Sequence, residues 1–277
     1  MGFRINTNTT ALAAQNSLSK TTAKSENLSA QLASGSRINK SADDAAGLAI
    51  SEKLKANIAS NQQANRNAND GISMIQVAEG GLEESGNILI RLRELAVQSA
   101  SDTIGDTERS YTDLEYQQLK QELGRISETT QFNGTNLLNG EGGKLDFQIG
   151  ANNDDFKDRI QYDTSKMNSG LDSLGIDGNS VVSKDDAQSS LESLDNAIQS
   201  VSGQRAELGA LQNRLQSTSA NLDTSVENMS AANSRIRDVD FAQATAENAT
   251  NNILKQAGTS VLAQANSQGQ SALRLIG

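Results

Sequence analysis

This sequence predicts a mainly α fold. A long antiparallel coiled-coil-like helix bundle formed by the N- and C-terminal arms encloses a small β-hairpin region in the middle of the chain. Three observations carry that prediction. Apolar residues recur at helical spacing through both ends, whereas the middle is Gly-rich, polar and alternating. None of the 277 residues is proline, where average usage would give roughly 14. A ring that locks φ and removes an N–H is poorly tolerated inside long helices. Finally, aromatic residues make up 3% and Trp is absent, so Leu, Ile, Val and Ala must do the packing, as they do in coiled coils.

Residues 5–34 read as an amphipathic helix carrying Leu12, Leu18, Leu28 and Leu32, with a break at Ser34-Gly35-Ser36. Ser41-Ala42-Asp43-Asp44 reads as an N-cap Ser with an acid three residues on, opening a helix that runs to about residue 100. Its stripe steps 54, 58, 61, 65, 68, 72, 75, 79, 82, a heptad seam interrupted by Asn61, Asn65 and Glu79. Polar seam residues cost stability and fix register or partner. A turn over Ser101–Asp106 leads to a shorter helix with Tyr116, Leu119, Leu123 and Ile126.

Beyond Phe132 the chemistry changes. Asn133-Gly134, Asn139-Gly140 and Gly142-Gly143 are turn signals. Leu145, Phe147 and Ile149 alternate, as do Ile160 and Tyr162, which predicts a β-hairpin over about 144–163. Residues 165–182 read as a flexible polar loop, the most tolerant place for an insertion. Ser183-Lys184-Asp185-Asp186 repeats the capping pattern and opens a second long helix. Its seam carries Leu191, Leu194, Ile198, Val201, Leu208, Leu215, Leu222, Val226, Met229 and Ile236, with Arg205, Gln212 and Asn233 as polar interruptions. A last amphipathic helix covers about 243–276.

Composition excludes much chemistry. Cys and His are both absent, which removes thiol nucleophiles, disulfides and imidazole bases, and with them zinc sites of the usual kind. A net charge of −10 argues against nucleic acid. The N-terminus has no apolar run of about 7–15 residues behind its single Arg4, so it is not read as a secretory signal peptide. No stretch is long and apolar enough to predict a membrane span. Asp177-Gly178-Asn179 opens like a calcium loop, but Val182 and Gln188 stand where Gly and Glu are needed. The adjacent acid pairs Asp43-Asp44 and Asp185-Asp186 suit helix N-termini. The expectation is a non-enzyme with no cofactor and no metal.

The terminal arms pose a physical question. Each is about 35 residues, roughly 50 Å as a helix, and both are rich in Ala, Ser, Asn and Gln. Ordering them costs on the order of 70–140 kcal/mol of backbone entropy. A two-helix pair has too few large apolar residues to offset that in a monomer, so the expectation is arms that order when many copies pack together.

Several segments resemble bacterial flagellins. These are Leu32-Ala33-Ser34-Gly35-Ser36-Arg37-Ile38-Asn39, Ala42-Asp43-Asp44-Ala45-Ala46-Gly47-Leu48-Ala49-Ile50, Ile90–Gln98, Gln131–Gly134, Ser234–Asp240 and Gln256–Asn266. They span both ends of the chain in order. The resemblance implies a structural subunit of the flagellar filament, a secreted protein that self-assembles into a hollow helical polymer for swimming motility. It implies an inner domain of residues 1–40 and 240–277 lining the channel. It also implies an outer helical domain of 41–239 with the hairpin, and no large outer domain.

By the same resemblance, Arg91, Leu95 and Glu115 match a patch that serves as a subunit contact and is read by a vertebrate Toll-like receptor. Ile90 stands where relatives often have Gln. Arg235, Arg237, Asp238 and Asp240 fall between the two layers, as inter-subunit contacts or as a plain solvated helix end. Leu262 and Leu273 are candidate anchors for an export chaperone or ordinary inner-tube packing. Filament cap and junction proteins are further implied partners. Two alternatives stay open: a hook–filament junction protein of the same architecture, and a soluble coiled-coil secreted binding protein.

Overall fold

The computed structural model describes residues 7–274, with side chains described over 7–267. Among the described residues there are five α-helices: α1 (Thr9–Ser34), α2 (Ala45–Ser99), α3 (Asp106–Thr129), α4 (Lys184–Arg237) and α5 (Phe241–Arg274). Four short strands lie between α3 and α4: β1 (Gln131–Phe132), β2 (Thr135–Asn136), β3 (Lys144–Gln148) and β4 (Arg159–Asp163). The chain divides into two compact units, Met1–Ala56 with Asn228–Gly277, and Asn57–Glu227. Among the described residues no helix is long and apolar enough to cross a membrane.

In the first unit α1 and α5 run antiparallel. The Asn8 amide donates to the Ala265 carbonyl at 2.9 Å, and Lys24 reaches Glu247 at 3.5 Å farther along. Their backbones approach more closely than those of α2 and α4, because Ala, Ser and Asn stand where Leu and Ile hold the other pair apart. Each helix has a side-chain cap. Asn8 Oδ1 accepts from the Ala11 amide, and Asp240 Oδ1 accepts from the amides of Ala242 and Gln243. The connections also meet: Ser36 pairs antiparallel with Asp238, the Arg37 amide donates to the Arg237 carbonyl, and the Val239 amide to that of Gly35.

The start of α2 differs from the sequence reading. Ser41 is not the cap; Asp44 is, with its Oδ1 accepting from the Gly47 amide at 2.8 Å. The preceding residue turns the other way. Asp43 Oδ2 accepts from the amides of Lys40 and Asn39 at 2.9 and 3.0 Å, closing a turn that the helix must wait for. These amide bonds, Lys40 first, hold the Asp43 carboxyl below the usual carboxylate range. A carboxyl whose folded pKa is lowered stabilises fully above its unfolded pKa of about 3.9, and the contribution is lost as pH falls through the folded value. Hydrogen-exchange protection of the Asn39 and Lys40 amides is therefore expected to drop between about pH 5 and pH 2, ahead of the amides within α2.

The second unit is built on α2 packed antiparallel to α4. The cross-helix pairs Asn61–Ser225, Glu79–Arg205 and Arg93–Asp195, with Asp102–Lys184 just past the end of α2, keep one antiparallel register throughout. In α4 the buried residues Ala187, Leu194, Val201, Leu208, Leu215 and Leu222 fall every seventh position. The α2 seam shares Ala68, Ile75 and Leu82 with the sequence reading, all fully buried. Its other fully covered row is Ala64, Gly71, Ala78 and Ser85, beside the half-buried 65, 72 and 79, of which Ile72 packs against the core. Small side chains carry little hydropathy, yet they let bulky partners sit close. A Cβ on Gly71 would lie 3.1 Å from the Phe147 ring and 3.3 Å from Leu215 Cδ1. Asn65 stands at the edge, giving its amide to Asp223 and accepting from Ser219.

On this pair lie α3, through Tyr116, Leu123 and Ile126, and the β segments. The β3–β4 hairpin pairs Lys144 with Asp163 through Gln148 with Arg159, as predicted. The sequence reading missed a smaller ladder, β1–β2, closed by Asn133 and Gly134 at φ 49° and 79°, a left-handed pair that Asn-Gly supports. It also misjudged 165–182. That segment is packed, with Met167, Leu174, Ile176 and Val181 buried in the core. Its apolar residues follow no period because it crosses the core surface as turns, fixed by Lys120 donating to the Asp177 carbonyl at 2.6 Å and by Asp113 accepting from the Val181 amide at 2.9 Å.

The end of α2 is held by a buried Arg109. Its guanidinium donates to the carbonyls of Ser99 and Ser101 and to Asp106, each at 2.9 Å. These carbonyls would otherwise lack helical partners. Arg109→Met is expected to lower the stability of this unit by about 2 kcal/mol, read as a shift in urea midpoint.

Candidate functional site

Among the described residues no three acidic side chains converge as metal ligands would, and the informative features are surfaces. Arg91 and Glu115 come together from α2 and α3, 24 residues apart in sequence, with two guanidinium nitrogens on Glu115 Oε1 at 2.8 and 3.0 Å. Arg91 Nη1 also reaches Glu94 at 2.9 Å. The two carboxylates, Glu115 first, raise the already high Arg91 pKa, so the cation is fixed at any working pH. Being solvent-exposed, the pair orients the two helices more than it stabilises them. Leu95 is not on this surface. It is 2% exposed and packs in the core.

The same two helices carry exposed apolar residues, of which sequence reasoning named only Ile90. Ile90 and Val97 on α2 and Tyr111 and Leu114 on α3 are each at least half exposed. Their signal was present as apolar residues out of phase with the seam.

The four residues named in the connection separate into different roles. Arg237 is paired within the chain, donating to Glu52 at 2.6 Å and to Ser51 at 3.3 Å. Asp240 is the α5 cap described above. Asp238 contributes backbone to the bridge with Ser36 and its side chain is exposed. Arg235 is exposed on the last turn of α4. Sequence reasoning missed the partners Glu52 and Arg37; Arg37 Nη2 donates to the Ile236 carbonyl at 2.7 Å.

The α1–α5 pair leaves several large apolar side chains in water. Leu28, Ala244 and Ala265 are buried between the helices. Leu12, Phe241, Ile253, Leu254 and Val261 are 52–66% exposed. Leu262 is half-buried. The Leu273 side chain lies outside the described residues. A two-helix pair that leaves this many large side chains in water has a face built for something else to cover.

Comparisons with known proteins bear on what covers it. The model of the bacterial flagellin N-terminal helical region matches residues 5–142, and that of the bacterial flagellin C-terminal helical region matches 191–276. The flagellin of Halalkalibacterium halodurans is 43% identical over 246 residues, 89% of each chain. That of Bacillus subtilis is 43% identical over 313 aligned residues, covering 99% of this chain and all of the relative. The flagellar filament 33 kDa core protein of Treponema phagedenis is 41% identical over 98% of this chain and 99% of its own. Among solved structures, Bacillus cereus flagellin superposes with a TM-score of 0.51 at 30% identity, over 61% of this chain and 94% of that one. A putative flagellar hook-associated protein of Vibrio parahaemolyticus gives 0.58 at 13% identity, over 71% and 100%, a likeness of fold alone.

Proposed function

The chain belongs to the bacterial flagellin family, and we propose that its exposed α1–α5 face is the surface on which copies of it polymerise. It is a structural subunit of the flagellar filament, a homopolymer that lies outside the cell. The observation that carries the proposal is the set of large apolar residues left open on a pair whose described buried apolar residues are Leu28, Ala244 and Ala265. In the filament, residues 1–40 and 240–277 form the inner layer around a channel and 41–239 the outer layer. Each α1–α5 pair covers its neighbours' exposed Leu, Ile and Val. The family's members in general are structural, and this chain does no catalysis.

The finer assignments follow the same logic. Arg91 and Glu115, with Ile90, Val97, Tyr111 and Leu114 around them, form a subunit contact that a host Toll-like receptor reads; Leu95 supports it from beneath. Arg235 and Asp238 reach neighbouring subunits, while Arg237 and Asp240 hold the connection that presents them. Leu262 and Leu273 pack in the inner layer, and before export the same face is held by a chaperone. Cap and junction proteins meet the ends of the polymer.

Electron microscopy of the purified chain, before and after addition of short fragments of its own filament, tests the central claim. Uniform hollow filaments after seeding are expected. Protein that stays monomeric under seeding would overturn it.

A further inference from the structure

The loop that joins β3 to β4 is held by its own polar groups. Asp158 is buried, and its carboxylate accepts from the amides of Asp154 at 3.1 Å and Asn152 at 3.4 Å. Its carbonyl accepts from the amides of Ile149 and Gly150, and its own amide donates to the Asp154 carbonyl. The Gln148 side-chain amide donates to the carbonyls of Gly150 and Asn152 at 2.9 and 2.8 Å. Gly150 has no room for a side chain, since a Cβ there would collide with Asp158 Oδ1. At the tip Asp154 Oδ1 accepts from the amides of Phe156 and Lys157 at 3.0 and 3.1 Å. The turn so fixed holds Phe156 85% exposed, the most exposed large apolar side chain among the described residues. Lys157 beside it is largely in water, 3.6 Å from Asp154. A ring already held rigid loses little entropy when it is covered, which suits an interface anchor.

A matching surface stands elsewhere in the same unit. Tyr111 and Leu114 lie one turn apart on one face of α3 and, after Phe156, are the most exposed large apolar residues described there. Glu108, also exposed, stands one turn before Tyr111. The loop cannot meet this face within one chain. Phe147 lies against Gly71 and the Gln148 carbonyl accepts from the Asn67 amide, so β3 leads toward the N-terminal end of α2. The first turns of α3 lie against the other end, where Glu115 meets Arg91 and Arg109 meets Ser99. The 20 residues of α2 from Gly71 to Arg91 alone span roughly 30 Å. We propose that the Phe156–Lys157 tip of one copy seats on the Tyr111–Leu114 face of a second copy, with Lys157 against Glu108. This rests on the polymer reading above and names what covers the α3 side of its contact. Charge agrees, because a cation flanks the ring and a carboxylate flanks the apolar pair. Tip and face are different surfaces of one chain, so the contact is head-to-tail, the arrangement an open polymer needs.

Seeded growth of the full chain tests the contact. Phe156→Ser and Leu114→Ser are each expected to raise the concentration needed for growth about thirtyfold, the loss an interface anchor brings. Urea midpoints should not move, because both side chains are in water in the free chain. The double variant is expected to lose no more than either single one, since each removes the same contact. Lys157→Glu should weaken growth, and Glu108→Lys added to it should restore growth. Either single serine variant growing at the parent's concentration, or additive loss in the double variant, would overturn the contact. The sequence has no cysteine, so proximity can be read separately. Mixed filaments of a Phe156→Cys chain and a Leu114→Cys chain, grown above the raised concentrations, should be joined in pairs by a short bismaleimide. Filaments that yield no such pair would also overturn the contact while leaving the polymer reading intact. Failure of the parent chain itself to grow would overturn both.

Discussion

Leu254→Asp is expected to leave the monomer folded and to stop filament growth. Leu254 is 52% exposed, so a carboxylate there remains in water in the free chain, and the thermal midpoint of the Asn57–Glu227 unit should not move. In the polymer the same position is covered, and burying an unpaired charge costs several kcal/mol per subunit even after relaxation. Each 1.4 kcal/mol is a factor of ten, so the concentration needed for seeded growth should rise at least about a thousandfold. Sedimentation after seeding reads this directly. Filaments at the parent's critical concentration would show that this face of α5 is not an interface.

Leu208→Ala is expected to do the reverse. Leu208 is fully buried in the α4 seam, and its truncation removes packing from a site where α2 and α4 have little freedom to collapse. Large-to-small changes of this kind cost about 2–5 kcal/mol. For a unit of this size each kcal/mol moves the midpoint by about 2–4 °C, which predicts a fall of roughly 4–20 °C. Both leucines fall on helical stripes and look alike in sequence. One belongs to the fold of a single chain and the other to its assembly, and only burial separates them.

How far the sequence can be read follows from where the information lies. The α4 seam was legible because Leu, Val and Ala recur every seven residues on one face. The α2 seam was legible only in one row, because Ala64, Gly71, Ala78 and Ser85 look like surface residues until Phe147 and Leu215 are seen against Gly71. Ser183 was read correctly as a cap, accepting from the Asp186 amide at 3.1 Å. Ser41, in the same local pattern, was not a cap, because Asp43 had already committed to Asn39 and Lys40. The packed stretch 165–182 has no period to detect. Arg91 and Glu115 were named through resemblance; no spacing rule joins residues 24 apart on two helices.

The constant register of the α2–α4 pairs turns the two helices into a pair of matched rulers. Asn61 faces Ser225 near one end and Asp102 faces Lys184 near the other, so the graduations must agree along the whole run. A residue added to one ruler alone throws every mark beyond it off by about 100°, since 3.6 residues make a turn. Added length can be accommodated as whole heptads inserted in both helices at facing positions, encoded between 82 and 164 codons apart. The chain's two halves are thus locked to a common length, and its freedom to grow lies in the turns between them.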